Sequence, residues 1–490
     1  MLSKHDKQSR DQMEVISLDD LVPRDHLVRK IEEAIDFDFI YELVEDKYSL
    51  NNGRPSIDPV VLFKMVFIQY LFGIRSMRQT IEEIKTNVAY RWFIGYPLSK
   101  EIPHFSTFSK NYKRRFKDTD IFEQIFYRIL NEAMKKGFVD PEAAFIDSTP
   151  VKANANKKKY IKKTVRVETR SYQDRLEKEV NEDRIKHGKK PLKKRIRKKQ
   201  TKEMKVSRTD PDSGYYAKSE REHMFAYSFH TACDKNGFVL GSMVTPANIH
   251  DSQVLEPLFN YIKNKVAKPS VLAVDAGYKT AAIAKFLHDQ NVRPVMPYTR
   301  PLAKKGFLKK HEYVYDEYYD CYICPQGQTL KYKLTNREGY RQYVSDSSIC
   351  INCPLLSKCT ENRNHTKMIH RHIWEEYLEE AEHLRHTDYN KEIYALRKET
   401  IERVFADAKE KHGMRWTRYR GRKKVSAHAM LIFAAMNLKK LANWTWKSNA
   451  AKRYLSLKLH KPLIKCNFMS SLSTVWMRVF FFQLFQNPNI

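Results

Sequence analysis

The sequence predicts an α/β protein: a mixed sheet flanked by helices, preceded by a helical N-terminal region and interrupted by a small cysteine-rich segment. Three observations predict it. Helix-spaced apolar residues crowd the stretch from Ser17 to about Phe116; two apolar runs, Ala143–Ile146 and Val271–Val274, each lead into an aspartate; and five of the seven cysteines fall within Cys321–Cys359. At 490 residues the chain exceeds one ordinary domain. The expected division is a helical domain over 17–120, a sheet domain over 140–445 interrupted at 152–215 and 302–372, and a tail over 446–490.

In the first region Leu27, Ile31 and Ile35 recur on one helical face, and Asp58-Pro59 is a cap and first-turn pair opening the apolar run Val60–Phe67. Further helical signals cover Met77–Ile84 and the aromatic-rich Tyr90–Tyr96. A compact helical domain follows, with scaffolding and DNA binding both open as its role.

From Glu142 the pattern changes. Ala143–Ile146 reads as a buried strand running into Asp147-Ser148-Thr149-Pro150. His223–Cys233 alternates, Asp234-Lys235-Asn236-Gly237 is a hairpin turn, and Phe238–Thr245 returns as a strand. Ser270–Gly277 is a second buried strand carrying Asp275, followed by a helix over Thr280–Asp289 and a short strand over Val292–Met296. A strand, a hairpin and then β-α-β is the order of an RNase H-like core. Farther on, Ile401, Val404, Phe405 and Ala408 form a helical stripe, and a basic turn, Arg415–Lys424, precedes a helix over Ser426–Leu441.

Charge narrows the function. Lys and Arg number 89 against 58 Asp and Glu, a net charge of +31 and a pI near 9.6. Such a field attracts polyanions and is neutralised by phosphates. The stretch Lys152–Arg208 holds 23 Lys and Arg against 7 acids, about half of that net charge. It is expected to be solvated, helical at most around Tyr172–Ile185, and to lie against DNA beside the Asp147 strand. A membrane span is not expected, because Val60–Ile74 and Thr474–Phe485 are interrupted by Lys64 and Arg478. The N-terminus lacks the apolar centre of a signal peptide. A cytoplasmic, nucleoid-associated protein with reduced cysteines is expected.

Cutting or joining a phosphodiester requires stabilising charge on the attacking and leaving oxygens together, which two hard cations about 4 Å apart accomplish, held by carboxylates. Asp147 and Asp275 each follow a buried strand, where an aspartate is costly unless hydrogen-bonded or bound to a cation. The third carboxylate comes from Glu399, Glu402 or Glu410. Glu402 stands seven residues, two helical turns, before Lys409, so both project from nearly one face; position 406, seven after Glu399, is alanine.

These residues resemble the DDE transposases of bacterial insertion sequences over most of the chain, from about Leu21 to Leu441. Phe145-Ile146-Asp147-Ser148-Thr149 is similar to the family's first-Asp strand, Val274-Asp275-Ala276-Gly277-Tyr278 to its second, and Glu402–Lys409 to its Glu helix. Gly53–Pro59 and the helices after it resemble the helical N-terminal domain of these enzymes. Asn248-Ile249-His250-Asp251 and Arg420-Gly421 also match. One departure concerns the spaced Tyr-Arg-Glu-Lys signature: Lys398 stands where Arg is expected, and Tyr394 falls one residue before the Tyr position. The resemblance implies a catalytic triad Asp147, Asp275 and Glu402 holding Mg²⁺ (or Mn²⁺), with Asp147 bridging two ions. It also implies DNA cleavage at terminal repeats, attack of the freed 3′-hydroxyl on target DNA, and a homodimer that joins two ends. The competing readings are an RNase H-like nuclease without joining and a non-catalytic zinc-containing nucleic-acid binder, a decayed transposase.

Cysteine spacing adds a second centre. Cys321-x2-Cys324 and Cys350-x2-Cys353, with Cys359 beyond, fit a structural Zn²⁺ site of zinc-ribbon type with one thiol too many. Pairing logic leaves out Cys359, whereas resemblance to the family's insertion makes Cys321 the spare and selects Cys324, Cys350, Cys353 and Cys359. His365, His370 and His372 read as surface residues. The turn from Arg415 interleaves Trp416 and Tyr419 with basic residues, a composition suited to phosphate contact and base stacking. The expected DNA contacts are Lys398, Arg403, Lys409, Arg415, Trp416, Arg418, Arg420 and Arg422.

Overall fold

The computed structural model describes residues 13–49, 56–166, 172–193, 201–217, 219, 222–300 and 304–459. The first residues, Gly53–Pro55, part of the basic run, and the stretch Thr474–Phe485 lie outside the described residues.

Seven helices open the chain: α1 (Leu18–Leu21), α2 (Leu27–Ala34), α3 (Phe39–Val44), α4 (Pro59–Leu71), α5 (Met77–Thr86), α6 (Val88–Ile94) and α7 (Ser106–Asn111). Their starts are set by local capping. Asp58 accepts the N–H groups of Val60 at 2.7 Å and Val61 at 3.3 Å with Pro59 at the first helical position, and Ser76 and Asn87 cap α5 and α6 in the same way. Gly95 closes α6 at φ +71°, a conformation that favours glycine. A longer helix, α8 (Ile121–Lys135), leads into the sheet.

The sheet is built from β1 (Ala143–Lys152), β4 (Gly214–Ala217), β5 (His223–Asp234), β6 (Val239–Pro246), β7 (Val271–Ala273) and β8 (Arg293–Val295), with β2 (Tyr160–Arg166) and β3 (Thr201–Ser207) outside it. Its order is β4-β5-β1-β7-β8, with β6 also on β5; β1, β7 and β8 run parallel and the rest antiparallel. Both faces are covered, which explains the unbroken burial of Ala143–Ile146. On one face Ala144, Ile146, Leu272 and Val274 pack against α10 (Leu255–Lys265) and α11 (Ala281–Asp289). On the other, Ala143, Phe145 and Ala273 join a core that also holds the N-terminal helices.

The predicted strands, hairpin and α11 are present, and two strands differ in extent. β1 continues past the aspartate to Lys152, because β5 remains paired with it to Ala226; Pro150 is accommodated where β7 no longer pairs on the other side. β7 stops at Ala273, since the chain turns at Asp275 into a 3₁₀ turn, Ala276–Tyr278.

The basic segment departs from expectation. Beside α9 (Gln173–Lys186) it forms a two-stranded ribbon, β2 with β3. The side chains of Tyr160–Lys163 in β2 are exposed, so that strand shows no apolar alternation; Lys162 and Glu203 meet across the ribbon at 3.7 Å. The cysteine-bearing segment forms an antiparallel sheet, β9 (Val314–Asp316), β10 (Cys321–Ile323), β11 (Thr329–Thr335), β12 (Tyr340–Ser345) and β13 (Met368–His372), with short helices α12 (Ser347–Cys350) and α13 (Leu356–Cys359). The two segments are docked together: Asp183 of α9 accepts Arg341 Nη2 at 2.6 Å and Thr335 Oγ1 at 2.5 Å. His372, expected at the surface, is buried, and its Nδ1 accepts the Trp374 N–H.

Four helices finish the described chain: α14 (Glu375–Leu384), α15 (Asp388–Ala395), α16 (Ile401–Lys411) and α17 (Arg422–Leu459). The last begins four residues earlier than expected. Gly421 turns at φ +86° and the Arg422 N–H finds Asp212 Oδ2 at 2.9 Å; cations in a first helical turn oppose the helix dipole and disguised this start. No helix among the described residues is long and apolar enough to cross a membrane.

Candidate active site

Parallel register brings the two aspartates together. Phe145 of β1 lies beside Ala273 of β7, and two residues farther on stand Asp147, inside β1, and Asp275, just past the end of β7, on strands spaced about 4.8 Å apart. Asp147 Oδ1 accepts the Ser148 N–H at 2.7 Å and Oδ2 accepts Arg397 Nη2 at 2.8 Å. Asp275 caps the 3₁₀ turn, its Oδ1 accepting the Gly277 N–H at 3.0 Å. Burial pushes the Asp147 carboxyl up to about 6; Arg397 pulls it down, while Asp275 and Asp251 push it farther up. Three carboxylates therefore lie near one another where β1 runs on past the end of β7.

The sequence reading did not single out Arg397 or the role of Asp251. Arg397 is buried in the 3₁₀ turn Leu396–Lys398 and lies over the Tyr394 ring at 5.5 Å. Lys398, the position matched to the expected Arg, points into solvent. Within the tight turn between α15 and α16, Arg397 is the side chain that reaches Asp147, with Tyr394 three residues before it.

On α16, Ile401, Val404, Phe405 and Ala408 are buried against the sheet. Lys409 Nζ lies 2.5 Å from Thr149 Oγ1, on the same side of β1 as Asp147. Glu402, two turns earlier, is exposed and makes no hydrogen bond or ion pair among the described residues. No three His, Cys, Asp or Glu side chains among the described residues stand close enough to hold a metal ion as they are. The donor set nevertheless fits a hard divalent cation: oxygen atoms only, partly desolvated, and mutually repelling without a counter-charge.

Beyond Asp147, β1 exits alongside the basic loop. Thr417 N–H bonds Lys152 O at 2.9 Å, Asn154 Nδ2 bonds Arg418 O at 2.7 Å, and Arg420 Nε returns to Asn154 O at 3.1 Å. Gly421 N–H and the Tyr227 hydroxyl both bond Asp210. This stitching fixes the loop while leaving Arg415, Trp416, Arg420 and Arg422 exposed, with Arg418 lying 5.0 Å from the Trp416 ring and Arg415 paired with Glu410. Arg403 is exposed on α16.

Cys324, Cys350, Cys353 and Cys359 line one small cavity of about 30 Å³ with Tyr313, Ser345 and Leu330. Tyr313 Oη lies 3.1 Å from Cys359 Sγ, and Cys350 Sγ 3.3 Å from Ser345 Oγ. Cys321 is buried in β10 and does not line that cavity.

Two family models match the chain. A transposase domain (DUF772) covers residues 16–114, which span α1 to α7, and a transposase DDE domain covers residues 323–442, which include α16 and the four cysteines of the cavity but neither Asp147 nor Asp275. No curated protein matches.

Proposed function

Because the chain is a DDE transposase of insertion sequences, we propose that it binds the terminal repeats of its element, cleaves the DNA there by metal-dependent hydrolysis and joins the 3′-OH ends to target DNA. The observation that carries this reading is the parallel register of β1 and β7, which sets Asp147, inside β1, and Asp275, just past the end of β7, each two residues beyond the last pair, Phe145 with Ala273. Strand order β4-β5-β1-β7-β8, with an antiparallel hairpin on one side of β1 and parallel strands on the other, supports an RNase H-like catalytic domain over 140–445. The helical domain is 17–120, and the segments at 152–215 and 302–372 are insertions in the catalytic domain.

Asp147, Asp275 and Glu402 would hold Mg²⁺ (or Mn²⁺), a hard cation that would polarise the scissile phosphate and neutralise charge on the attacking and leaving oxygens. Asp147 is oriented by a charge-assisted bond from Arg397. Lys409, next to Thr149, neutralises a phosphate entering beside the carboxylates, and Lys398 and Arg403 continue that basic face. Arg415, Arg418, Arg420 and Arg422 grip the DNA backbone, and Trp416 offers a stacking face. Two copies act together on the element ends, on DNA of the nucleoid. Cys324, Cys350, Cys353 and Cys359 would hold one structural Zn²⁺ through their thiolates; the shared cavity favours this set over one containing Cys321.

The test uses DNA carrying the sequences that flank the reading frame. With Mg²⁺ the chain should cut at the repeat ends, and Asp147→Ala and Glu402→Ala should each abolish cutting; the change at the exposed Glu402 should do so without lowering the thermal midpoint, whereas Asp147→Ala strands the buried Arg397 and lowers it. Undiminished cutting by Asp147→Ala would sink the proposed centre.

A further inference from the structure

Asp251 begins the 3₁₀ turn Asp251–Gln253, immediately before α10, and so approaches the sheet from the face opposite α16. Ser148 Oγ donates to its Oδ1 at 2.8 Å. Its Oδ2 and Asp275 Oδ1 lie 3.6 Å and 3.3 Å from the point that a Cβ would occupy at Gly277, so both carboxylates border one small space that any larger residue would fill.

Two buried polar atoms point to the same place. His230, cross-strand neighbour of Ser148, is fully buried; its Nε2 bonds Thr245 Oγ1 at 2.8 Å, while Nδ1 has no hydrogen-bond partner and lies 3.6 Å from Asp251 Oδ1. The Tyr278 hydroxyl is likewise fully buried and unpartnered among the described residues. It feels the charges of Asp251, Asp147 and Asp275 together, which with burial raise it well above the usual tyrosine range. Buried polar groups left without partners are rare, and two of them beside crowded carboxylates mark a place built for more than packing. Burial and the neighbouring Asp275 also raise the Asp251 carboxyl, against the pull of Ser148.

On the reading of Asp147 and Asp275 given above, we propose that Asp251 is a fourth acidic side chain of the centre, supplying an oxygen ligand to a divalent cation that it shares with Asp275. Hard cations take six or more oxygens, so a further carboxylate completes a shell that two strand-end aspartates leave open. Ser148 and His230 are its positioning residues: one donates to Asp251 from β1, the other stands within a small shift of hydrogen-bonding distance from β5. Glu402 and Asp251 then serve the site from opposite faces of the sheet.

The experiment titrates Mn²⁺ into the full chain without DNA and follows free Mn²⁺ by its paramagnetic resonance signal. Asp251→Asn keeps an acceptor for Ser148 and removes the charge; it should weaken Mn²⁺ binding by about tenfold or more, as Asp275→Asn should. Asp251→Glu, which restores the charge, should recover part of the affinity. If Asp251→Asn binds like the unsubstituted chain while Asp275→Asn does not, the fourth ligand is overturned and the Asp147–Asp275 centre stands. If both bind like the unsubstituted chain, the centre itself is overturned. Should Asp251→Asn lower the thermal midpoint without Mn²⁺, Asp251→Glu decides: affinity above that of Asp251→Asn supports ligation, and affinity at the same level overturns it.

Discussion

Arg397 and Lys398 are adjacent, equally basic, and wholly different in what they do. The Arg397 side chain is 5% exposed and its partner Asp147 18%. Removing one member of a buried pair strands the other charge, a loss of about 3 kcal/mol or more, whereas an exposed lysine costs within about 0.5 kcal/mol. Arg397→Gln should therefore lower the urea midpoint substantially and Lys398→Gln should leave it in place. Equal shifts would show that the buried pair does not orient Asp147. Sequence alone could not choose between the two residues, because a single 3₁₀ turn sets which one faces inward, and nothing in the local composition announces that turn. Asp251 was equally illegible as a ligand: its approach depends on α10 crossing the opposite face and on its neighbour in space, Ser148, 103 residues away in sequence.

At the scale of elements, apolar runs that end on aspartates were readable because both faces of β1 and β7 are covered, which leaves no polar residue inside either run. The hairpin was readable from Asp234–Gly237, where Asp234 Oδ1 accepts the Phe238 N–H at 2.7 Å and Gly237 adopts φ +71°. The ribbon β2–β3 was not, since the described β2 side chains Tyr160–Lys163 are exposed and show no apolar alternation. The cysteine segment stands between these cases: spacing left out Cys359, resemblance to the family's insertion left out Cys321, and Cys324, Cys350, Cys353 and Cys359 are the four that line one cavity. Metal analysis of the purified chain should find about one Zn²⁺ per molecule, lost in Cys353→Ser and retained in Cys321→Ser. Retention in Cys353→Ser, or loss in Cys321→Ser, would reject the assigned set.

Across the whole described unit, the N-terminal helices share one apolar core with β1, β5, α16 and the start of α17. His412, just past α16, reaches Tyr70 O of α4 at 2.7 Å, and the Tyr70 hydroxyl meets His428 Nδ1 of α17 at 2.9 Å. Burial holds both histidines neutral, His412 down to about 4 and His428 down to about 3, so these contacts do not add charge to the core. The helix that carries Glu402 and Lys409 is thereby braced from behind by the N-terminal helices, while its other side faces the strand ends. The fixed basic loop and the carboxylates belong to one framework. The most direct test supplies DNA ends already cut to a free 3′-hydroxyl, a supercoiled target plasmid and Mg²⁺. The chain should join ends to target, and Asp275→Ala should yield no joined molecules. Joined products undiminished in Asp275→Ala, or no joining by the unsubstituted chain on its own ends, would contradict a transposase built on Asp147, Asp275 and Glu402.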